Sequence, residues 1–189
     1  TAFPSFFDMH VHFRDPGFTH KEDIITGASA AAAGGVTGVL CMPNTNPPVD
    51  NEETIRYISE KAKQTGIDVY QTACITSGMN GQELADFKMY KSLGIRAVSD
   101  DGKPVSNAGL MRQALINAEN EDLLLTSHCE DMDIIGKGII NNGAVSAKLK
   151  VEGMDRSSED SITAREIALA GAAGVKVHIA HVSTEGSIG

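Results

Sequence analysis

Phe6-Phe7-Asp8-Met9-His10-Val11-His12-Phe13-Arg14-Asp15-Pro16-Gly17 is the stretch on which the fold of this chain turns. An apolar run ends in two histidines two positions apart, and a Pro-Gly break follows. In a strand, residues two apart project from one face. Both imidazoles then stand together at a strand end, where they can chelate one divalent metal. A lone His-x-His is more often two polar residues on a half-exposed strand. The rest of the chain reverses that preference.

Six apolar, β-branched-rich runs recur: Phe6 to His12, Val36 to Met42, Asp68 to Ile75, Ile95 to Ser99, Leu123 to His128 and Val175 to Val182. Helical patterns separate them. Lys21 to Ala33 opens with Thr19-x-x-Glu22, a capping-box signature, and closes on Gly34-Gly35. Asn51 to Gln64, Gln82 to Leu93, Ala108 to Glu119 and Ser161 to Ala173 complete the set, with an insertion around Asp131 to Ser158. Strand starts recur every ~30 residues, the length of a βα unit. Near-continuous apolar strands suit a parallel sheet buried on both faces. No Gly-x-Gly-x-x-Gly follows the first strand, so a dinucleotide cradle is not read here.

Polar chemistry gathers where these strands end: His10 and His12, then Asn44, Asp100-Asp101, His128 and His181. Barrel enzymes build their sites from the carboxyl ends of several strands, whereas an open sheet binds at one switch point. The pattern predicts an α/β TIM (β/α)8 barrel with about six of its eight strands present. The absent initiator Met and the stop at Gly189 suggest a cut at each end. Residues 1–189 are then the N-terminal part of a barrel, without strands seven and eight or a flanking small β domain.

Bulk composition excludes several classes. Sixteen basic and twenty-five acidic residues give a net charge of −9, which disfavours nucleic acid as a partner. No apolar run is long enough to span a bilayer, and no signal peptide is visible, so a cytoplasmic protein is expected. Cys41, Cys74 and Cys129 have no zinc-finger spacing and read as buried reduced thiols.

His10, His12, Asp101, His128 and His181 form a set of four imidazoles and one carboxylate. Five ligands exceed the needs of one tetrahedral ion and point to two metals sharing a bridging carboxylate. His178 lies an odd number of positions from His181 and is expected to face the helices. His20 is expected in solvent, Cys129 pointing away from the site, and Asp8 on the face of His10 but deeper.

His10-x-His12-x-Arg14-Asp15-Pro16-Gly17, Met42-Pro43-Asn44-Thr45, Ser99-Asp100-Asp101-Gly102, His128-Cys129-Glu130-Asp131 and His178-Ile179-Ala180-His181-Val182-Ser183 occur in this order. The series resembles dihydroorotase of the class I bacterial type, in the amidohydrolase superfamily, over the whole chain. Allantoinases and hydantoinases share the superfamily but typically lack Met-Pro-Asn-Thr. They also carry a bridging lysine, where Lys103 here reads as a surface residue.

The resemblance implies two Zn2+ per site, bridged by Asp101 and a hydroxide. His10 and His12 hold the first ion, His128 and His181 the second, with Asp100 the lesser candidate for the bridge. It implies substrate contacts from His12, Phe13, Arg14 and Asn44, the guanidinium of Arg14 and the amide of Asn44 gripping a carboxylate. The implied reaction is the reversible cyclisation of N-carbamoyl-L-aspartate to L-dihydroorotate in pyrimidine synthesis, a small-molecule partner with no nucleic acid or membrane, in a possible homo-oligomer. A non-catalytic scaffold subunit, another cyclic amidohydrolase and a pure metal-binding module are the rivals. Retention of five costly polar groups opposes the scaffold. The carboxylate clamp opposes the metal module. The family's acid–base Asp closes an eighth strand, so no catalytic residue is assigned within residues 1–189. The purified 189-residue chain is expected to show no appreciable dihydroorotase turnover, and substantial turnover in a direct assay would overturn that expectation.

Overall fold

The computed structural model describes residues 4–189. Strand β1 (Phe6–Val11) leads to helix α1 (Ile24–Ala33), then β2 (Val36–Cys41), α2 (Glu52–Ala62) and β3 (Asp68–Ala73). Helix α3 (Phe87–Ser92), β4 (Ala97–Val98), α4 (Ala108–Asn120) and β5 (Leu124–Ser127) follow. The insertion holds α5 (Met132–Ile135), β6 (Ile140–Asn141), α6 (Ala144–Leu149) and β7 (Gly153–Met154). Helix α7 (Ser157–Ala173), β8 (His178–Ile179) and α8 (Glu185–Ile188) end the chain. Six strands pair in parallel in the order β1-β2-β3-β4-β5-β8, while β6 and β7 form a separate parallel pair. This is the expected α/β arc of a barrel, six strands long. Among the described residues no helix is long and apolar enough to cross a membrane.

Alternation along each strand divides the apolar residues between two faces. Val39, Cys41, Val98 and Leu125 join Ile55, Ile58, Met111 and Leu115 of the helices in the main core. Leu40, Met42 and Ala97 pack together with Leu124 on the inner face. All three cysteines are free and buried.

Three helices start away from the expected residue. Helix α1 is capped by Asp23, whose carboxylate accepts from Ile25 N (2.8 Å) and Thr26 N (2.9 Å), with Thr26 as the reciprocal partner instead of a Thr19–Glu22 box. The chain is still turning before it, through Phe18 N to Arg14 O and Lys21 N to Phe18 O. Helix α3 starts at Phe87 because the preceding residues pair back on the segment after β3, with Ala85 N donating to Ile75 O. Helix α7 starts four residues early, at Ser157.

The loop after β1 is fastened by a buried carboxylate. Asp15 accepts from Tyr57 Oη (2.9 Å) and Lys61 Nζ (2.5 Å) on α2 and from Ile24 N at the start of α1 (3.4 Å). Gly17, at φ 89°, lies against the Asn46 backbone, and Asn46 N donates to Pro16 O (3.1 Å). A side chain at Gly17 would strike that backbone. The loops that carry Arg14 and Asn44 are thereby joined. Lys61→Met strands the Asp15 carboxylate in the interior and is expected to cost about 3 kcal/mol. Asp15→Asn keeps an acceptor and leaves a lysine able to reach water, for about 1 kcal/mol. Urea unfolding of both variants checks this order, and equal costs would show that charge plays no part.

Candidate metal centre

Each proposed ligand lies at the carboxyl end of a parallel strand, as barrel sites require. His10 is the penultimate residue of β1, and His12 follows the strand. Asp101 lies three residues past β4, His128 directly after β5, and His181 two residues past β8. The structure brings all five together. Two triads each bring their ligand atoms within 4.8 Å of one another: His10, His12 and Asp101, and Asp101, His128 and His181. Asp101 belongs to both.

Distances show how the carboxylate is shared. Asp101 Oδ1 lies 3.3 Å from His10 Nε2, 3.2 Å from His128 Nδ1 and 3.7 Å from His181 Nε2. Oδ2 lies 3.4 Å from His12 Nε2 and 3.3 Å from Asn44 Nδ2. Nδ1 of His128 and Nε2 of His181 are 2.9 Å apart. Nitrogen lone pairs and carboxylate oxygens crowd one small volume there, which a cation would resolve. The donor set, nitrogen and carboxylate oxygen without sulfur, suits a first-row divalent ion.

Burial alone would raise the Asp101 carboxyl, but hydrogen bonds from His10, His128 and His181 outweigh it and hold the group far below the usual range. Burial pushes His12 down and the nearby Arg14 charge adds to this, against the pull of Asn44 and Asp101. Burial opposes the charge on His128 too, yet Asp101 and Glu130 together raise it. Asp100 faces the other way. Its carboxylate accepts from Ile75 N (2.8 Å), Thr76 N (3.2 Å) and the Thr76 hydroxyl, and burial raises it to about 6. It supports the loop after β3, so of the two aspartates only Asp101 belongs to the triads.

Strict alternation does not hold around the site. Strand β1 has one residue more than β2 between the pairs Asp8↔Val39 and Val11↔Cys41, a bulge. Asp8 therefore stands level with a residue of the helix-side core and does not share the face of His10. It is exposed and accepts from His10 N (3.0 Å). The strand stops before Arg14, which turns at φ 57°, so alternation does not aim that side chain. His178 pairs with Thr126, on the inner-face parity of Leu124, while its neighbour Val177 packs on the helix-side core. The expectation that His178 faces the helices is thus corrected. His181 reaches the site because its backbone bends at φ 37°.

The substrate-binding expectations meet a mixed geometry. The Phe13 ring is buried in the main core against Gly27 of α1, which leaves only its backbone for a ligand. Asn44 is engaged at both ends, its Oδ1 accepting from His12 Nδ1 (3.0 Å) and its Nδ2 donating to Asp101. His20 and Lys103 are exposed, as expected. Cys129 turns its thiol to Ser127, and burial raises it. A cavity of about 700 Å³ opens beside His128 and His181, walled by the insertion through Asn141, Asn142 and Arg156.

The sequence model of the family described as Dihydro-orotase-like matches residues 2–187. The chain belongs to this family. It is 50% identical to the dihydroorotase of Trichlorobacter lovleyi, over 98% of this chain and 44% of that protein. It is also 50% identical to the dihydroorotase of Clostridium acetobutylicum, over the same shares. The chain therefore spans under half the length of these curated relatives. Among solved structures, an L-hydantoinase (dihydropyrimidinase) from Arthrobacter aurescens superposes with a TM-score of 0.75 at 20% identity, covering 98% of this chain and 43% of that one. That likeness concerns the fold.

Two further carboxylates stand against this cluster and its loops. Glu130 Oε2 meets His128 Nε2 at 3.1 Å. Glu159, in the first turn of α7, accepts from Ser183 N (2.9 Å), Thr184 N (3.0 Å) and the Thr184 hydroxyl (3.0 Å), pinning the loop that follows His181. The nearness of Glu130 to His128 was the only sequence signal for either. Asp101→Asn is expected to weaken metal uptake at both triads, and His12→Ala only at the first. Titration with Co2+, followed by absorption, separates these outcomes.

Proposed function

We propose that residues 1–189 supply the N-terminal, metal- and carboxylate-binding part of a dihydroorotase barrel. The reaction is the reversible cyclisation of N-carbamoyl-L-aspartate to L-dihydroorotate, in a cytoplasmic enzyme acting on a small molecule and able to form homo-oligomers. The observation that carries this reading is the pair of triads joined by Asp101, in a chain half identical to proteins named dihydroorotase. The metal is zinc, two ions per site, with His10 and His12 on one side of Asp101 and His128 and His181 on the other. When bound, such a pair supplies Lewis acidity that polarises a carbonyl and makes water nucleophilic near neutral pH.

The chain's own residues do the binding and orienting. Arg14 offers a planar donor fork to the substrate carboxylate. Asn44 is the second group assigned to that carboxylate, and its present contacts hold His12 and Asp101 in place. Asp101 and the four imidazoles are brought together by strand ends and the loops that follow them, which gathers the donor set ahead of substrate. No residue within 1–189 is assigned the transfer of a proton to the leaving nitrogen, which is why the chain alone is expected to be inactive.

A chimera tests this reading. These residues replace the matching part of the Trichlorobacter lovleyi dihydroorotase. The product is expected to turn over L-dihydroorotate, to lose activity to a chelator and to regain it with Zn2+. Preferential turnover of hydantoin or allantoin would overturn the substrate assignment. In the same background Arg14→Ala is expected to lower kcat/KM about 30-fold, mostly through KM, as fits ~2 kcal/mol for a charged hydrogen bond.

A further inference from the structure

The two ring nitrogens of His128 meet different surroundings. Nδ1 faces Asp101 Oδ1 at 3.2 Å and His181 Nε2 at 2.9 Å, inside the cluster. Nε2 faces Glu130 Oε2 at 3.1 Å, outside it. A neutral imidazole carries a single N–H, and a carboxylate only accepts. With a cation in the cluster replacing the Nδ1 proton that Asp101 otherwise accepts, Glu130 would hold the remaining ring proton on Nε2 and leave the Nδ1 lone pair directed at the ion. The other half of the site uses the opposite nitrogens. Asn44 Oδ1 accepts from His12 Nδ1 at 3.0 Å, which frees Nε2 towards Asp101 Oδ2. One acceptor is a carboxylate and the other a neutral amide. A carboxylate behind an imidazole raises its basicity as a ligand more than an amide does.

We propose that Glu130 is a positioning residue that selects Nδ1 of His128 as the metal-binding atom and makes the His128–His181 half the tighter of the two. The proposal rests on the two-metal assignment above. Glu130 touches neither substrate nor metal and acts through the imidazole. Its place two residues past His128, just before the insertion, lets the β5 end carry both the ligand and its orienting group.

The test uses the whole chain, with Co2+ as the probe for stoichiometry and affinity and long-range 15N–1H spectra of the Zn2+-loaded protein for the histidine tautomers. The wild type is expected to bind two ions with unequal affinity and to hold the His128 proton on Nε2. Glu130→Gln keeps an acceptor and removes the charge. It is expected to weaken the tighter site about 10-fold with the tautomer unchanged. Glu130→Ala removes both and is expected to weaken that site about 100-fold and mix the tautomers. The His10–His12 half should not change in either variant, a selectivity that general destabilisation would not produce. Glu130→Gln is isosteric and carries the test if the alanine variant does not fold. Unchanged affinity in Glu130→Gln and Glu130→Ala, or a wild-type His128 protonated on Nδ1, overturns the proposal alone. A wild-type chain that binds no Co2+ overturns the two-metal assignment and the proposal with it.

Discussion

One carboxylate governs the site. Asp101 is almost wholly buried, 4% exposed, yet four imidazoles approach it within 3.7 Å. A buried carboxylate without partners is costly enough to change its protonation. Here the imidazoles reverse that tendency and keep it ionised. The anion in turn fixes where four strand ends converge. His10 and His12 approach from β1, His128 from β5 and His181 from β8, and none of these strands touches β4 except β5. Parallel βα architecture delivers that convergence because every strand ends on the same side.

Strand ends fix only the Cα positions; the loops beyond them decide the rest. Lys61 and Tyr57 tie down the Asp15 loop from α2, the packing of Gly17 on Asn46 joins that loop to the next, and Glu159 grips the backbone after His181. These contacts are mostly buried or part-buried and charged, so each is a place where one substitution would loosen a ligand without touching it. The scheme answers a physical need. Arg14 and His181 both sit at positive φ, a conformation that non-glycine residues avoid. Such geometry persists only where neighbouring contacts over-determine it.

The fold and the gathering of polar groups at its strand ends were legible in the sequence because both depend on periodicity. Apolar runs every ~30 residues gave the strands, and polar residues at their ends gave His10, His12, Asp101, His128 and His181. Side-chain direction was less legible, since parity assumes an unbroken strand. The β1 bulge shifted Asp8 to the other face, and the short β8 left His178 inward with His181 turned by its backbone. Helix starts erred for a related reason. Thr19–Glu22 satisfies the capping pattern, but the turn through Phe18 and Lys21 holds those residues outside the helix, and Asp23 takes the position. Long-range partners such as Asn44 with Asp101, 57 residues apart, leave no local trace at all.

Asp100 and Asp101 show how far identical chemistry can diverge between neighbours. Val98 packs on the helix-side core and Ala97 on the inner face, and the two aspartates continue that alternation. Asp100 meets backbone N–H groups and a hydroxyl, and burial moves it to about 6 against their pull and that of Lys103. Asp101 meets imidazoles and stays ionised. The first holds the end of β3 against the end of β4; the second gathers the histidines. Exchanging their roles would require a one-residue register slip, which turns every side chain of β4 to the other face. The Ser99-Asp100-Asp101-Gly102 sequence thus encodes a brace and a bridge in adjacent residues, and the parity of a two-residue strand decides which is which.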